Sequence, residues 1–381
     1  MAQKSRAIFE EVTTPDRAVP TPGGIDRGRG GARGAIRAWL MVLFALVVLM
    51  IAVGGLTRLT DSGLSITEWA PISGALPPLS AEDWQSEFAA YQQTDEFRLQ
   101  NSAMTLEEFK SIYWWEWGHR QLGRVIGLVW ALGFLWFLLR RQIPQGWTSK
   151  LLVLGALGGL QGAIGWWMVS SGLGEGMLDV ASYRLAIHLG LAFAILGLIA
   201  WDVFLLGRRA PELMQARRAG ERKLVAGTTG LMHLAFLQIL LGALVAGIDA
   251  GRAFPTWPDM GGSFLPPDPF QLTPVWRNFF EDAGLVQFIH RMSGYLLLAL
   301  GVFVWWRGRG SAHADTRFAL NAVLAALFLQ VVLGIFTALY SAPLGLALAH
   351  QLLAVALWVL ILRARFLARY PLARSVRGTL A

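Results

Sequence analysis

Apolar residues along this chain gather into stretches of about twenty, parted by polar segments, and each stretch can cross a ~30 Å hydrocarbon core as a helix. Eight spans are predicted, at about 36–56, 119–139, 150–170, 184–206, 224–246, 285–306, 318–340 and 346–365. The class is an all-α polytopic membrane protein. The first apolar run is too long for a signal-peptide core and carries no small-residue cleavage signature, so it is expected to remain as a span. Residues 1–35 ahead of it are polar and rich in Gly and Arg, and are expected to form a disordered tail.

The spans fall into a repeat. Asp61-Ser-Gly63 follows span one, then Trp69, Pro71, Gly74, Pro77 and Pro78; Asp249-Ala-Gly251 follows span five, then Trp257, Pro258, Gly261, Pro266 and Pro267. His119-Arg-Gln-Leu-Gly123 opens span two, and His290-Arg-Met-Ser-Gly294 lies in span six. Gln161 and Gly165 in span three match Gln330 and Gly334 in span seven; His188 and His350 stand near the starts of spans four and eight. Unrelated segments would not share residues at matched offsets. The reading is two four-helix units, 36–206 and 224–366, joined by a basic linker at 207–223 and followed by a basic tail at 367–381. An even number of spans per unit gives both the same orientation, related by a pseudo-twofold along the membrane normal.

Charge then orients the chain. Arg140, Arg141 and Lys150 follow span two; Arg208, Arg209, Arg217, Arg218, Arg222 and Lys223 follow span four; Arg307, Arg309 and Arg317 follow span six. The alternate connections are poorer in Lys and Arg, so both termini are expected in the cytoplasm and the protein in a bacterial inner membrane. The outer side then carries two long segments, about 57–118 and 247–284, expected to act as lids or binding elements. Trp114, Trp115 and Trp117 at a span boundary suggest an interfacial belt.

Composition narrows the chemistry. Hydrophobic residues make up 55% and charged ones 15%, with a mean hydropathy of +0.48; a soluble domain carries roughly 25% charged residues. The net charge of +8 lies in the short connections, with no basic patch interleaved with aromatics, so nucleic acid is not an expected partner. There is no cysteine, which removes disulfides, iron–sulfur clusters, thiolate-ligated haem and covalent haem attachment.

Four of the six histidines, His119, His188, His290 and His350, fall into the repeat near the outer ends of even-numbered spans. Helices two and four of a unit run in the same direction, so each unit can present two imidazoles across its interior, and bis-histidine ligation of a haem is the natural use of such a pair. A small residue follows each at i+4 (Gly123, Ala192, Gly294, Ala354), as a flat porphyrin against its ligand helix would need. Arg120 and Arg291 are candidates for pairing with propionates. A lone histidine in a span can equally hydrogen-bond a neighbouring helix, and Gly123 can equally be a helix contact with Gly127. His233, with bulky Leu237 at i+4, and His313, in a basic loop, read as non-ligands. Asp61 and Asp249 read as turn formers rather than metal ligands. Glu116 lies one turn outward of His119 on the same face, and its repeat partner is Gln287, which cannot ionise. An acid facing a bundle interior is a functional candidate; the plain alternative is a solvated interfacial residue.

The stretches Gly54-Gly-Leu-Thr-Arg-Leu-Thr-Asp-Ser-Gly63, Glu116-Trp-Gly-His119-Arg, Ala246-Gly-Ile-Asp-Ala-Gly251 onward to Gly262, and His290-Arg-Met-Ser-Gly294 resemble the haem A synthase family, over about residues 36–366. Lacking the outer-loop cysteine pair of some members, the chain looks like the cysteine-free proteobacterial and mitochondrial branch. The resemblance implies oxidation of the C8 methyl of haem O to a formyl group by successive hydroxylations, giving haem A for terminal oxidases. It implies substrate haem near His119 and His188, a haem b cofactor on His290 and His350, and Glu116 assisting proton transfer or stabilising charge. It implies as partners the haem O synthase (protohaem farnesyltransferase) and cytochrome oxidase assembly factors, in membrane lipid; self-association stays open. Two other readings compete: a di-haem b-type electron-transfer cytochrome linked to quinone, and a transporter of parallel repeats. All four histidines at one depth disfavour the first, and neither repeat-matched histidines nor the Glu116/Gln287 difference suits the second.

Overall fold

The computed structural model describes residues 31–174 and 176–372, so most of the predicted tails, 1–30 and 373–381, lies outside the described residues. Among these the chain is all helical. In order the helices are α1 (Gly31–Leu59), α2 (Ala81–Tyr91), α3 (Asp95–Leu99), α4 (Leu106–Leu139), α5 (Thr148–Gly172), α6 (Ser182–Leu206) and α7 (Ala210–Arg218). There follow α8 (Arg222–Gly247), α9 (Ala250–Ala253), α10 (Asn278–Glu281), α11 (Ala283–Gly308), α12 (Ala314–Leu339) and α13 (Leu344–Arg369). Eight of them, α1, α4, α5, α6, α8, α11, α12 and α13, are long and apolar enough to cross a membrane, one for each predicted span. The chain is an integral membrane protein.

Packing joins the spans into one bundle. α1 packs on α4 and α6, and α5 lies between α4 and α6; correspondingly α8 packs on α11 and α13, and α12 lies between α11 and α13. The two groups meet where α6 packs on α8 and α13, and α1 on α13. This puts α1, α6, α8 and α13 at the centre. α6 has half of its most apolar window buried, whereas α5, at the periphery, buries 6% of its own. Close approach is bought with glycine at three crossings. The indoles of Trp39, Trp130 and Trp358 donate to the carbonyls of Val129 (3.0 Å), Leu151 (3.1 Å) and Phe193 (3.1 Å) on neighbouring helices. In each case the indole lies where the Cβ of a residue four positions later would stand, and Gly133, Gly155 and Gly197 leave that space.

Several boundaries differ from the sequence reading. α1 begins at Gly31 with Ala32 and Ile36 already buried, so the last residues of the expected tail are helix. At the other end α13 runs to Arg369, with Leu367 and Ala368 buried. The expected linker at 207–223 contains α7. The largest difference is α4: its 34 residues make a helix of about 50 Å, too long for the bilayer alone. A capping box starts it, with Thr105 Oγ1 accepting from Glu108 N–H and Glu108 Oε2 from Thr105 N–H. A second one, Ser80 with Asp83, starts α2. The segment expected as a long loop at 57–118 is therefore a small folded cap. Tyr91, Phe109 and Tyr113 form its core, with Trp84, Phe88 and Phe97 packed around them.

Candidate functional site

Each of the four repeat-related histidines is half-buried and faces one glycine on the span that precedes its own among the spanning helices. A Cβ at Gly54 (α1) would fall 2.9 Å from His119 Cε1 (α4), and one at Gly165 (α5) 2.9 Å from His188 Cε1 (α6). The same holds for Gly242 (α8) and His290 (α11) at 3.1 Å, and for Gly334 (α12) and His350 (α13) at 2.9 Å. Three of those distances are shorter than real Cβ contacts and the fourth, at Gly242, is tighter than most, so a side chain at these glycines would displace the imidazole. His119 and His188 stand on α4 and α6 of one half of the bundle, and His290 and His350 on α11 and α13 of the other.

One turn before the glycine, three of the four cradles carry a glutamine. Gln161 Nε2 donates to the His188 carbonyl at 3.0 Å and lies 3.3 and 3.4 Å from the two ring nitrogens. Gln238 does the same for His290, with 3.0 Å to the carbonyl, and Gln330 for His350, also 3.0 Å. The pattern Gln-x-x-x-Gly was visible in α5 and α12 from the sequence, but its recurrence in α8 was missed, as was Met50-x-x-x-Gly54 in α1. Gly123 and Gly294, expected to clear space for a porphyrin, face this same position on the preceding span. A Cβ at Gly123 would meet Met50 at 3.5 Å, and one at Gly294 would meet Gln238 at 3.3 Å.

Above His119 sits a charged knot. Glu116 is 3% exposed. Its Oε2 accepts from Ser65 Oγ and from Ile66 N–H, both at 2.8 Å, and its Oε1 accepts from Arg120 Nε at 3.1 Å and Nη2 at 2.6 Å. Glu116 is thus a paired, buried acid, and not a solvated interfacial one. Arg120 also donates to the carbonyls of Ile66 (2.8 Å) and Glu68 (2.9 Å). Arg291 repeats half of this, donating to Phe254 O at 2.8 Å and Asp259 O at 3.0 Å. Both arginines, read from sequence as propionate partners, are engaged in strapping the chain that follows α1 and α8 to the bundle. Gln287 is equally buried, reaches only Phe254 O at 3.4 Å, and leaves Oε1 without a partner. The position matching Ser65 is Ala253, so the acid and the hydroxyl that holds it are both absent from the second half.

The two repeat-related aspartates are turn formers, with left-handed φ of 49° at Asp61 and 50° at Asp249. Arg58 joins them, 2.7 Å from Asp61 and 2.9 Å from Asp249, and donates to Ala246 O at 3.0 Å. His233 is exposed on α8, and His313 stands at the N-cap of α12.

A haem fits these residues. Two imidazoles in each half are too few for a bare metal ion, and no three His, Cys, Asp or Glu side chains gather among the described residues; a porphyrin supplies the other donors. Buried polar atoms around the imidazoles also lack protein partners: His119 Nδ1 and Oε1 of Gln161, Gln238 and Gln330.

Eight spans with two matched pairs of cradled histidines define an integral membrane protein organised around paired imidazoles. The cytochrome oxidase assembly protein family matches the chain over residues 37–362. The heme A synthase of Ruegeria pomeroyi is 69% identical over 98% of this chain and 99% of its own length. That of Dinoroseobacter shibae is 66% identical over 99% and 100%, and that of Paracoccus denitrificans 63% over 98% and 99%. The chain belongs to the haem A synthase family of cytochrome oxidase assembly proteins.

Proposed function

We propose that the chain is a haem A synthase, an oxidoreductase that converts the C8 methyl group of haem O to the formyl group of haem A for terminal oxidases. Similarity at 63–69% identity over nearly the whole of several heme A synthases is the observation that carries this reading. The conversion replaces two methyl C–H bonds by C–OH bonds in successive hydroxylations, the gem-diol loses water to leave the aldehyde, and the four electrons removed from the carbon pass to an external oxidant.

Within this reading His119 and His188 hold the substrate haem, and His290 and His350 hold a resident haem b. A haem b supplies reversible one-electron chemistry when bound. The assignment of substrate to the first half rests on Glu116, Ser65 and Arg120, a charged knot that the second half lacks. Four donors already engage the Glu116 carboxylate, which favours an electrostatic role, stabilising positive charge as the methyl group is oxidised, over proton shuttling. Arg291, in no ion pair among the described residues, keeps positive charge above the second pocket for haem carboxylates, whereas Arg120 is paired with Glu116 above the first. Gly54, Gly165, Gly242 and Gly334 seat the imidazoles, and Arg120 and Arg291 strap the following chain to the bundle beside each pocket.

The basic connections favour both termini in the cytoplasm of a bacterial inner membrane, with the cap over α4 and the α9–α10 segment on the opposite side. The haem O synthase supplies substrate there, and oxidase assembly factors take the product. Co-expression with haem O synthase in cells lacking their own haem A synthase tests the reading. The expected chromatographic profile of extracted pigments contains haem A; haem O with no haem A would contradict it, and haem B alone in the purified protein would favour an electron-transfer cytochrome.

A further inference from the structure

The four histidine cradles are built to one plan and broken at one place. Gln161, Gln238 and Gln330 each stand four residues before the cradling glycine and donate to the carbonyl of the histidine they face. The fourth position is Met50, four residues before Gly54. Its thioether has no hydrogen to donate. His119 is correspondingly the one histidine of the four whose Nδ1 is buried without any partner. Met50 is also the true counterpart of Gln238, because the glycine one turn along the ligand helix meets each of them: Gly123 meets Met50 Cε and Gly294 meets Gln238 Nε2.

A glutamine in this position does two things to a ligating histidine. It ties the carbonyl of the ligand residue to the adjacent span, and it sets an amide against the imidazole, so the ring cannot swing without breaking that contact. Partners of this kind orient a ligand and hold it on its metal. With methionine the contact is apolar and adaptable, and the ring is restrained by packing alone.

Resting on the reading of His119 as a haem ligand, we propose that Met50 makes His119 the releasable ligand, so that haem exchanges at the first pocket while Gln238 keeps haem in the second. Release requires the bond between an imidazole nitrogen and iron to break, its electron pair returning to the ring, and an untethered ring does this more readily. A substrate must enter and its product leave in every cycle, whereas a resident cofactor must stay. One side chain at matched positions separates the two demands.

The test is haem transfer from the purified, detergent-solubilised, haem-loaded protein to excess apomyoglobin, followed by absorbance, with no turnover involved. Two phases are expected, and His119→Ala removes the fast one. Met50→Gln, close to isosteric, slows the fast phase about 10–100-fold, and Gln238→Met speeds the slow phase by a similar factor. A fast phase unchanged in Met50→Gln, with His119→Ala still abolishing it, overturns the proposal and leaves the ligand reading standing. Both phases intact in His119→Ala would overturn the ligand reading and the proposal together. If Met50→Gln does not accumulate, Gln238→Met decides alone, and an unchanged slow phase there is a negative result for the proposal.

Discussion

Glu116 and Gln287 differ by one oxygen for one nitrogen, yet their surroundings differ far more. Glu116 is held by Ser65, Ile66 and Arg120, and Gln287 by one long contact to Phe254. The Glu116/Gln287 contrast was legible in the sequence because the repeat sets the two side by side. The matching Ser65/Ala253 contrast was equally legible and was missed, because a small polar residue after a span reads as turn material. The acid's ion pair was beyond the sequence: Arg120 lies four residues on, but four is also the spacing of any exposed helical pair. Glu116→Gln keeps size and removes the charge, making the first pocket resemble the second. The expectation is retention of haem in both pockets and a fall in haem A formation of about 10²–10³, the typical cost of one preorganised electrostatic group. Haem A yields equal to wild type at equal protein level would reduce Glu116 to a strap for the chain after α1.

At the scale of elements, the eight spans were readable because twenty apolar residues have few alternatives to a membrane helix. The cap was not, because its helices are short, 11 residues in α2 and 5 in α3, and its core is three aromatic rings rather than a periodic stripe. The two capping boxes, Ser80 to Asp83 and Thr105 to Glu108, were the available signals. The cap also buries an acid. Glu96 is 3% exposed, and burial raises its carboxyl pKa to about 8, partly offset by the Tyr91 hydroxyl. The neutral acid is therefore the form the fold prefers. In the unfolded chain the group ionises near 4.5, so between that pH and about 8 the folded state holds a proton that the unfolded state has lost. Stability falls with rising pH across this window and levels off above it. Glu96→Gln is expected to flatten that slope, leaving the cap more resistant to proteolysis than wild type at pH 8 with little difference at pH 4. An identical pH dependence in the two proteins would place the titration elsewhere.

In the whole molecule, duplication explains more than any single motif. Matched contacts recur at matched positions: Arg120 on Ile66 O and Arg291 on Phe254 O, each at 2.8 Å, and a histidine against a glycine four times. Where the halves meet, Arg58 bridges Asp61 and Asp249, and Gln351 donates to Ile51 O at 2.7 Å. Such cross-connections were not readable from the repeat, because their donors, Arg58 and Gln351, have Ala246 and Leu189 at the matched positions of the other half. Orientation follows from charge alone, so a reporter inserted near residue 90 is expected to read as external and one near residue 215 as cytoplasmic. The reverse would put the cap, the straps and all four histidines on the cytoplasmic side.

The central claim is that the two histidine pairs hold different haems, one resident and one passing through. Extraction and chromatography of the haem bound to purified His290→Ala and His119→Ala, each co-expressed with haem O synthase, test it most directly. His290→Ala is expected to lose haem B while still binding haem O, and His119→Ala to keep haem B at the wild-type level with little haem O or haem A. The same mixture of haems in both variants and the wild type would contradict the division of the molecule into a substrate half and a cofactor half.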